Sequence, residues 1–252
     1  MATYELRPLS VGEILDTAFA VYRRLFGTLM SLGVICIGIP LLVLFALRTI
    51  TPSGDVSLLA LVFDLVLIAG TILLEGAIVC TVSDTYLGRA PSTGNALRTA
   101  WAKGGSIFAA GFVRNILIFV GLLFLIVPGI IVACGLSVAI PAVVLEPETL
   151  GTDAISRSWE LTKGFRGTAF VLALVPVALY LIPQLAAGVT SAILPALAPV
   201  FLAIGIVLEL LVIPGAICVF TLFYYDLRVR KEGFDLEQLS VHLGDESAPA
   251  PA

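Results

Sequence analysis

Residues 105–145 read GSIFAAGFVRNILIFVGLLFLIVPGIIVACGLSVAIPAVVL, an apolar run that contains a single charged side chain, Arg114. A hydrocarbon core about 30 Å thick is crossed by about 20 apolar residues in a helix. The run is therefore long enough for two crossings, and Pro128-Gly129 near its middle predicts the turn of a helical hairpin. This stretch indicates a protein built for a membrane.

The composition of the whole chain agrees with that stretch. Of its 252 residues, 59% are hydrophobic and 13% are charged, against roughly 45–50% and 25% in soluble proteins. The mean hydropathy is +1.09. This composition excludes disordered, collagen-like and coiled-coil proteins and leaves an integral membrane protein as the expected class.

Six membrane-spanning helices account for the apolar stretches. The sequence predicts an all-α, polytopic helical bundle in which residues 1–239 form a single membrane domain, and residues 240–252 form a disordered tail rich in Ala, Pro, Asp and Glu. Prolines inside the spans are expected to bend helices rather than end them. The predicted spans cover about 26–47, 56–82, 105–127, 129–146, 168–194 and 199–225.

Basic residues indicate the orientation of the chain. They precede the first span, join spans two and three, join spans four and five, and follow span six, whereas Arg48 alone lies in a connection of the opposite set. The positive-inside rule therefore places both termini in the cytoplasm. The residues that carry this asymmetry are Arg7, Arg23, Arg24, Arg89, Arg98, Lys103, Arg157, Lys163, Arg166, Arg228, Arg230 and Lys231.

A three-fold internal repeat precedes the odd-numbered spans. Segments 13–19, 95–101 and 153–159 read EILDTAF, NALRTAW and DAISRSW, and each is predicted to form a short amphipathic interfacial helix. Ser10 and Glu13 form a capping-box pattern that would start the first of them. These helices either bind the membrane surface and partner proteins or only set the angle at which each hairpin enters the membrane.

Aromatic side chains are expected to anchor the bundle at the cytoplasmic interface, where amphipathic rings are favoured. Four of these rings end or follow the repeated segments, and two lie at the end of the last predicted span. The predicted interfacial anchors are Phe19, Tyr22, Trp101, Trp159, Tyr224 and Tyr225.

Cysteine and histidine limit the available chemistry. Cys36, Cys80, Cys134 and Cys218 lie inside apolar runs without CxxC spacing or nearby histidine, which favours buried hydrophobic side chains over zinc ligands or disulfides. The one histidine, His242, lies in the polar tail, which excludes HExxH chemistry and a histidine-based triad within the membrane. We therefore expect neither a metal site nor a cofactor.

Polar residues inside the predicted spans form a candidate intramembrane cluster: Asp64, Glu75, Arg114, Asn115 and Glu209. We expect Arg114 to pair with Glu75, Glu209 or both, because an unpaired charge at that depth costs at least about 2.5 kcal/mol. The cluster is either a ligand or relay site of a transporter or a contact that fixes how the hairpins pack. A dry, closed contact would favour the packing role.

Three stretches carry a resemblance to a known family. They are LRPLSVGEILDTAFAVYRRLFG from Leu6, PAVVLEPETLGTDAISRSWELTKG from Pro141 and LFYYDLRVRKEGFDLEQL from Leu222. Together they resemble bacterial, especially actinobacterial, integral membrane proteins similar to the membrane domain of glycerophosphoryl diester phosphodiesterases. The resemblance implies a multi-pass protein of the bacterial cytoplasmic membrane. It does not imply phosphodiesterase activity, since the catalytic TIM-type barrel of about 250 residues is not expected here.

Three classes of function follow. The leading expectation is a non-catalytic membrane module that lies in the lipid bilayer and assembles with other membrane or envelope proteins, or with copies of itself. The alternative is a small transporter or lipid-handling carrier that uses the intramembrane charged residues. An intramembrane enzyme is the third class, although no nucleophile or metal set accompanies the carboxylates. No nucleic-acid partner is expected.

Overall fold

A computed structural model describes residues 7–40, 43, 56–147, 149, 151–194, 196 and 198–233. Within these residues the chain is helical and contains no strand. Its helices are α1 (Val11–Gly33), which continues into a π-helical segment (Val34–Gly38), α2 (Val56–Tyr86), α3 (Thr93–Ala102), α4 (Gly104–Phe124), α5 (Ile126–Gly135), α6 (Ala139–Leu145), α7 (Asp153–Leu161), α8 (Arg166–Ile193) and α9 (Ala198–Glu232).

Six helical stretches in the described part of the chain are long and apolar enough to cross a membrane. They confirm the all-α fold class and the multi-pass membrane architecture that hydropathy predicts. The stretches are Val11–Gly38, Leu65–Tyr86, Gly104–Phe124, Ile126–Leu145, Arg166–Thr190 and Leu210–Glu232.

The first helix begins at the predicted capping box. The Glu13 N–H donates to the Ser10 hydroxyl oxygen at 3.3 Å, and the Ser10 N–H donates to the Glu13 carboxylate at 2.7 Å. The helix then continues without a break to Gly33. The first amphipathic segment is therefore not a separate short helix. No proline interrupts α1, and Gly27, which lies between this segment and the apolar run, costs only about 1 kcal/mol within a helix.

Separate short helices do precede the third and fifth spans. They are α3 and α7, and they correspond to the second and third repeated segments. The Ser92 hydroxyl caps α3, while α7 buries Ala154, Ser158 and Leu161 on one side. Their position at the lipid surface and the three-fold repeat stay predictions.

The hairpin of α4 and α5 turns at Leu125, whose backbone is extended, and not at Pro128-Gly129. Pro128 lies in the first turn of α5, where N–H groups have no acceptor within the helix and proline is tolerated. Gly129 packs against α4 so closely that a Cβ there would lie 2.7 Å from the backbone nitrogen of Leu122. The Pro-Gly pair therefore lies in the first turn of the second helix of the hairpin and does not form the connection.

The fourth span consists of two helices, whereas the sequence predicts one helix over 129–146. A turn at 136–138 separates α5 from α6. Pro141 explains the break, because its ring has no N–H to donate and clashes with the carbonyl group four residues earlier, at Ser137.

Side chains of Ser158 on α7 and of Thr162, which directly follows α7, satisfy the backbone at this break. The Ser158 hydroxyl donates to the Gly135 carbonyl oxygen at 2.9 Å and accepts from the Val138 N–H at 3.3 Å. The Thr162 hydroxyl donates to the same Gly135 oxygen at 3.0 Å. A broken helix at membrane depth is stable only where such partners replace the lost hydrogen bonds.

The spans differ in how much protein surrounds them. The α2, α5–α6 and α9 spans each have 56% of their apolar window buried, against 17% for α4 and 11% for α8. Because α4 and α8 are apolar and largely exposed, they form the lipid-facing part of the bundle.

Hydrogen bonds connect Leu9, just before α1, to the last helix, α9. The Leu9 N–H donates to the Asp226 carboxylate at 2.7 Å, and Arg230 donates both to the Leu9 carbonyl oxygen, at 2.7 Å, and to Asp226, at 2.8 Å. Asp226 is 3% exposed. These bonds fix α1 beside the end of α9.

Candidate intramembrane binding site

Arg114 on α4 and Glu75 on α2 form a bidentate ion pair. The two guanidinium nitrogens donate to the two carboxylate oxygens, at 2.7 Å from Nη1 to Oε1 and 2.9 Å from Nη2 to Oε2. Their side chains are 17% and 21% exposed. Two parallel charge-assisted bonds fix both groups in position. The expected pairing of Arg114 with Glu75 is thus present.

Both charges lie near the middle of the bundle. Glu75 precedes the end of α2 at Tyr86 by eleven residues, and Arg114 follows the start of α4 at Gly104 by ten. At about 1.5 Å per residue these separations are about 16 and 15 Å, close to half of a hydrocarbon core about 30 Å thick. The pair is therefore an intramembrane feature.

Glycines beside the charges bring α2 and α4 together. A Cβ on Gly76 would lie 2.8 Å from Cδ1 of Ile107, and one on Gly111 would lie 3.7 Å from Cγ1 of Ile72. A side chain at position 76, directly after Glu75, would therefore require the Ile107 side chain to move.

The ion pair lines a partly open cavity of about 460 Å³, which we call the central cavity. Five of the six spans contribute to its walls, and most of the lining is apolar. Its polar side chains are Thr71, Glu75, Arg114, Asn115 and Ser137, and its other walls are formed by Ile72, Ile118, Ala133, Cys134, Leu136, Pro141, Ala169, Ala173, Ile213, Ala216, Ile217 and Phe220.

The polar groups of the central cavity offer both acceptors and donors. The Thr71 hydroxyl donates to the Ile68 carbonyl oxygen at 2.8 Å, and the Ser137 hydroxyl donates to the Cys134 carbonyl oxygen at 2.9 Å. Their oxygen lone pairs remain available as acceptors, while the Asn115 amide both donates and accepts. The cavity is suited to a molecule with a hydrogen-bonding head and an apolar body.

Two members of the predicted cluster fall outside the described side chains. Asp64 lies in α2 and Glu209 in α9, but the structure describes neither side chain. Glu209 as a second partner of Arg114 therefore stays a prediction. Of the predicted cluster, the structure brings together Glu75, Arg114 and Asn115.

Three of the predicted interfacial anchors are exposed. Phe19, Trp101 and Trp159 hold the same position in the repeat and are 61%, 76% and 39% exposed. Trp159 also packs beneath the Arg166 guanidinium, 3.6 Å from its ring centre. Tyr22 is half-buried, with its hydroxyl donating to the Leu211 carbonyl oxygen at 3.0 Å.

Tyr224 and Tyr225 are buried, at 0% and 3% exposure, and cannot contact lipid as anchors. The prediction for these two rings is therefore corrected. Each hydroxyl has a partner inside the protein: Tyr224 donates to Glu146 at 2.9 Å, and Tyr225 shares a hydrogen bond with Ser83 at 2.6 Å. A tyrosine hydroxyl that already has a hydrogen-bond partner inside the protein does not need water at the membrane interface as its partner.

Glu146 is the centre of a polar network that sequence reasoning missed. It accepts hydrogen bonds from Arg157 at 2.9 and 3.0 Å, from Thr149 at 2.7 Å and from Tyr224 at 2.9 Å. Arg157 also forms an ion pair with Glu232 at the end of α9. The network joins α6, α7 and α9 outside the apolar part of the fourth span.

The network shifts the acidity of its members. Burial by itself would raise the pKa of Glu146, but the hydrogen bonds from Arg157, Thr149 and Tyr224 outweigh it, and the pKa lies below its usual value. Burial lowers the pKa of Arg157, yet its bonds to Glu146 and Glu232 raise it overall. Both groups therefore stay charged near neutral pH.

Lys103, which lies between α3 and α4, stabilises the same region. Its ammonium group donates to the carbonyl oxygens of Val143, Val144 and Glu146 at 3.0, 2.9 and 3.4 Å. These carbonyl groups lie at the C-terminal end of α6, where no N–H group of the helix donates to them. Because the ammonium group is partly buried, its pKa lies below the ordinary value.

The stretches that carry the family resemblance meet around these contacts. Leu9 comes from the first stretch, Glu146 and Arg157 from the second, and Asp226 and Glu232 from the third. The sequence signal that could have revealed the Glu146 network is a set of charged residues close to apolar stretches. Which of these residues pair with each other is determined only by the fold.

The described residues hold no group of three or more His, Cys, Asp or Glu side chains that could bind a metal ion. Cys36, Cys80, Cys134 and Cys218 are free thiols. Their burial or partial burial agrees with small hydrophobic roles.

No family model, curated protein or solved structure matches this chain. The resemblance to the membrane domain of glycerophosphoryl diester phosphodiesterases therefore stays a prediction, and the function must be argued from the geometry of the site.

Proposed function

We propose that the protein is a non-catalytic, lipid-handling carrier that binds an amphiphile of zero net charge in its central cavity. The observation that carries this proposal is that the Glu75–Arg114 pair lines a cavity and is not sealed in a dry contact. Cavities of a few hundred Å³ with apolar walls and few polar groups are typical ligand sites. The transporter or carrier alternative is thereby favoured over the packing role.

The charge of the central cavity determines the kind of ligand. Glu75 and Arg114 neutralise each other, so the described lining has no net charge. An ionised ligand would leave an uncompensated charge at membrane depth, which is costly. A ligand with hydroxyl or carbonyl groups and an apolar chain instead meets Thr71, Asn115 and Ser137 at its polar end.

The remaining features of the proposal are location and partners. The resemblance and the basic-residue asymmetry support a bacterial cytoplasmic membrane with both termini in the cytoplasm. Assembly with other membrane or envelope proteins, or with copies of the chain, stays a prediction, because a ligand cavity neither requires a partner nor prevents one. No catalysis is proposed, and purified protein is expected to leave glycerophosphodiesters intact with any divalent metal.

The test compares two probes with the same acyl chain, decanoylglycerol and the decanoate anion. Binding to the purified protein in nanodiscs is measured by competition with a fluorescent monoacylglycerol. We expect the neutral probe to bind about tenfold or more tightly than the anion, because it adds no charge at membrane depth.

Matched variants on α8 locate the binding. Ala173 lines the central cavity, whereas Ala186 is exposed outside it. Ala173→Phe should fill the cavity and reduce binding of decanoylglycerol about tenfold or more, while Ala186→Phe should leave it unchanged. Equal binding by both variants and the unsubstituted protein would reject the proposed ligand site.

A further inference from the structure

The central cavity is surrounded by a ring of five helices. In the described part of the chain, α2 contacts α4, α4 contacts α5, α5 contacts α8, α8 contacts α9, and α9 contacts α2. Each of these helices also contributes side chains to the cavity lining. The cavity therefore lies along the middle of the ring, and its two ends differ in burial and polarity.

One end of the central cavity, which we call the floor, is closed by the protein core. It is lined by Pro141 and Ala169, both of which are buried. The next residues toward that end of α2, α4 and α9 are Ile78, Ala110 and Phe223, and each is 0% exposed. Among the described residues, tightly packed side chains thus lie directly behind the floor.

The opposite end, which we call the mouth, is open. It is lined by Thr71 on α2 and Asn115 on α4, and both residues are exposed. One turn further from the floor, Ile68 on α2, Phe119 on α4 and Val177 on α8 are exposed as well. Packing therefore closes the floor and leaves the mouth accessible from the membrane.

The position of the mouth along the helices assigns it to one leaflet. Thr71 precedes the end of α2 at Tyr86 by fifteen residues, and Asn115 follows the start of α4 at Gly104 by eleven. At about 1.5 Å per residue these separations are about 22 and 16 Å, more than half of a hydrocarbon core about 30 Å thick. The mouth therefore lies in the leaflet farther from the start of α4.

The polarity of the two ends sets the direction in which an amphiphile fits. The mouth offers the Thr71 hydroxyl and the Asn115 amide, whereas the floor is apolar at Pro141 and Ala169. An apolar chain therefore points to the floor, and the polar head stays at the mouth. A lipid of the leaflet that the mouth faces already has this direction, so it can enter without inverting, whereas a lipid of the other leaflet points the opposite way.

Resting on the proposed function, we infer that the central cavity takes its neutral amphiphile chain first, and only from the leaflet that the mouth faces. With both termini in the cytoplasm, as the basic residues predict, this is the outer leaflet. The protein then holds a lipid of one leaflet and does not move it across the membrane.

The experiment uses right-side-out and inside-out membrane vesicles from cells that express the full chain. The probe is a decyl maltoside with a photoreactive diazirine in its chain, which is neutral and whose sugar hydroxyls keep it in the leaflet to which it is added. The signal from the cavity is the part of the labelling that Ala173→Phe removes. Ser92→Cys, near the start of α3, reports in the same vesicles which face a membrane-impermeant thiol reagent reaches.

We expect labelling of the cavity to be about tenfold or more stronger from the face at which Ser92→Cys does not react, because the sugar head cannot cross the apolar core. Equal labelling from both faces, or stronger labelling from the Ser92 face, would overturn the single-leaflet inference and leave the ligand site intact. Decanoylglycerol binding that Ala173→Phe does not reduce would instead reject the proposed function, and this inference with it.

A pair of variants on α4 tests the mouth. Ile118 lines the central cavity one turn beyond Arg114, whereas its neighbour Leu117 is exposed outside the lining. Ile118→Trp should narrow the mouth and slow the association of decanoylglycerol about tenfold or more, because access then limits the rate. Leu117→Trp should leave the rate unchanged. Equal association rates for both variants and the unsubstituted protein would show that the ligand enters elsewhere, which contradicts the inference.

Discussion

The indole ring of Trp159 lies directly against the backbone of Gly135. A Cβ at position 135 would lie 2.5 Å from the ring carbon Cζ3. Gly135→Ala should therefore displace the ring and strain the Ser158 and Thr162 bonds to the Gly135 carbonyl oxygen. Overpacking of this kind costs about 1–3 kcal/mol, so we expect a lower melting temperature in detergent.

Two variants control this experiment. Gly105→Ala, with no atom near its added Cβ, should be neutral or more stable, since Ala is favoured over Gly in a helix by about 0.5–1 kcal/mol. Gly135→Ala combined with Trp159→Leu should recover part of the lost stability. Equal melting temperatures for Gly135→Ala and Gly105→Ala would contradict the proposed contact.

The Arg114–Glu75 pair should show strong energetic coupling. Removing one partner of a buried pair strands the other charge and costs about 3–5 kcal/mol, whereas replacing both with apolar residues costs much less. A double-mutant cycle of Arg114→Leu and Glu75→Leu, measured by unfolding in detergent, should therefore give a coupling energy above about 1 kcal/mol.

An exposed pair in the same chain provides the comparison. Arg89 and Asp84 lie 3.0 Å apart with side chains 62% and 30% exposed. Exposed pairs contribute about 0–1 kcal/mol, so the cycle of Arg89→Leu and Asp84→Leu should be near zero. Coupling near zero in both cycles would show that Glu75 does not stabilise the Arg114 side chain.

Protonation of Glu146 should lower stability in acid. Its folded pKa lies below the ordinary value of 4.5, so its stabilising contribution is fully present above that value and is lost as pH falls through the folded pKa. The melting temperature of the unsubstituted protein should therefore fall as the pH drops below 4.5.

Glu146→Gln should reduce this pH dependence, because it removes the titrating group. Glu160→Gln, at an exposed position on α7, removes a carboxylate without touching the network and should leave the slope unchanged. If the acid slope of Glu146→Gln equals that of Glu160→Gln, the network does not stabilise the fold through Glu146.

Cysteine labelling tests the orientation. Cysteines introduced at Ser53, Ser92 and Ser240 are exposed to a membrane-impermeant thiol reagent on intact cells, with the unsubstituted chain as background. Ser53 and Ser240 lie outside the described residues, but their connections follow from the span count. Only the Ser53 position should react. Labelling at Ser240 would overturn the orientation.

Hydropathy predicted that six helices are long and apolar enough to span a membrane, because burial in lipid depends on composition over about 20 residues, which a sequence states directly. The Arg114–Glu75 contact was also accessible, since an unpaired charge at that depth is too costly to leave alone. Identifying Glu75 as a partner required the packing of α2 against α4, and Glu209 as a further partner stays a prediction.

Local backbone detail was less accessible. The sequence predicts the hairpin turn at Pro128 and an unbroken helix through Pro141, yet each proline is the third residue of a new helix, α5 or α6. Proline fits the first turn of a helix because no N–H is needed there, and the sequence alone does not distinguish that position from a turn or a bend. Tyr224 was assigned to the interface because an aromatic ring near a span end fits two environments, and only the position of Glu146 decides between them.

At the turn between α4 and α5, both backbone hydrogen-bonding groups of Leu125 have partners within the protein. Its N–H donates to Gly121 at 3.1 Å, and its carbonyl oxygen accepts from Gly129 at 3.2 Å. The flanking Leu123 and Ile126 are 72% and 70% exposed and wholly apolar. With no charged or amphipathic side chain to hold it at the headgroups, this tip can sink or rise with the bilayer. Thickness mismatch, which costs fractions of a kcal/mol per Å, should therefore be absorbed at this hairpin before it strains the ion pair.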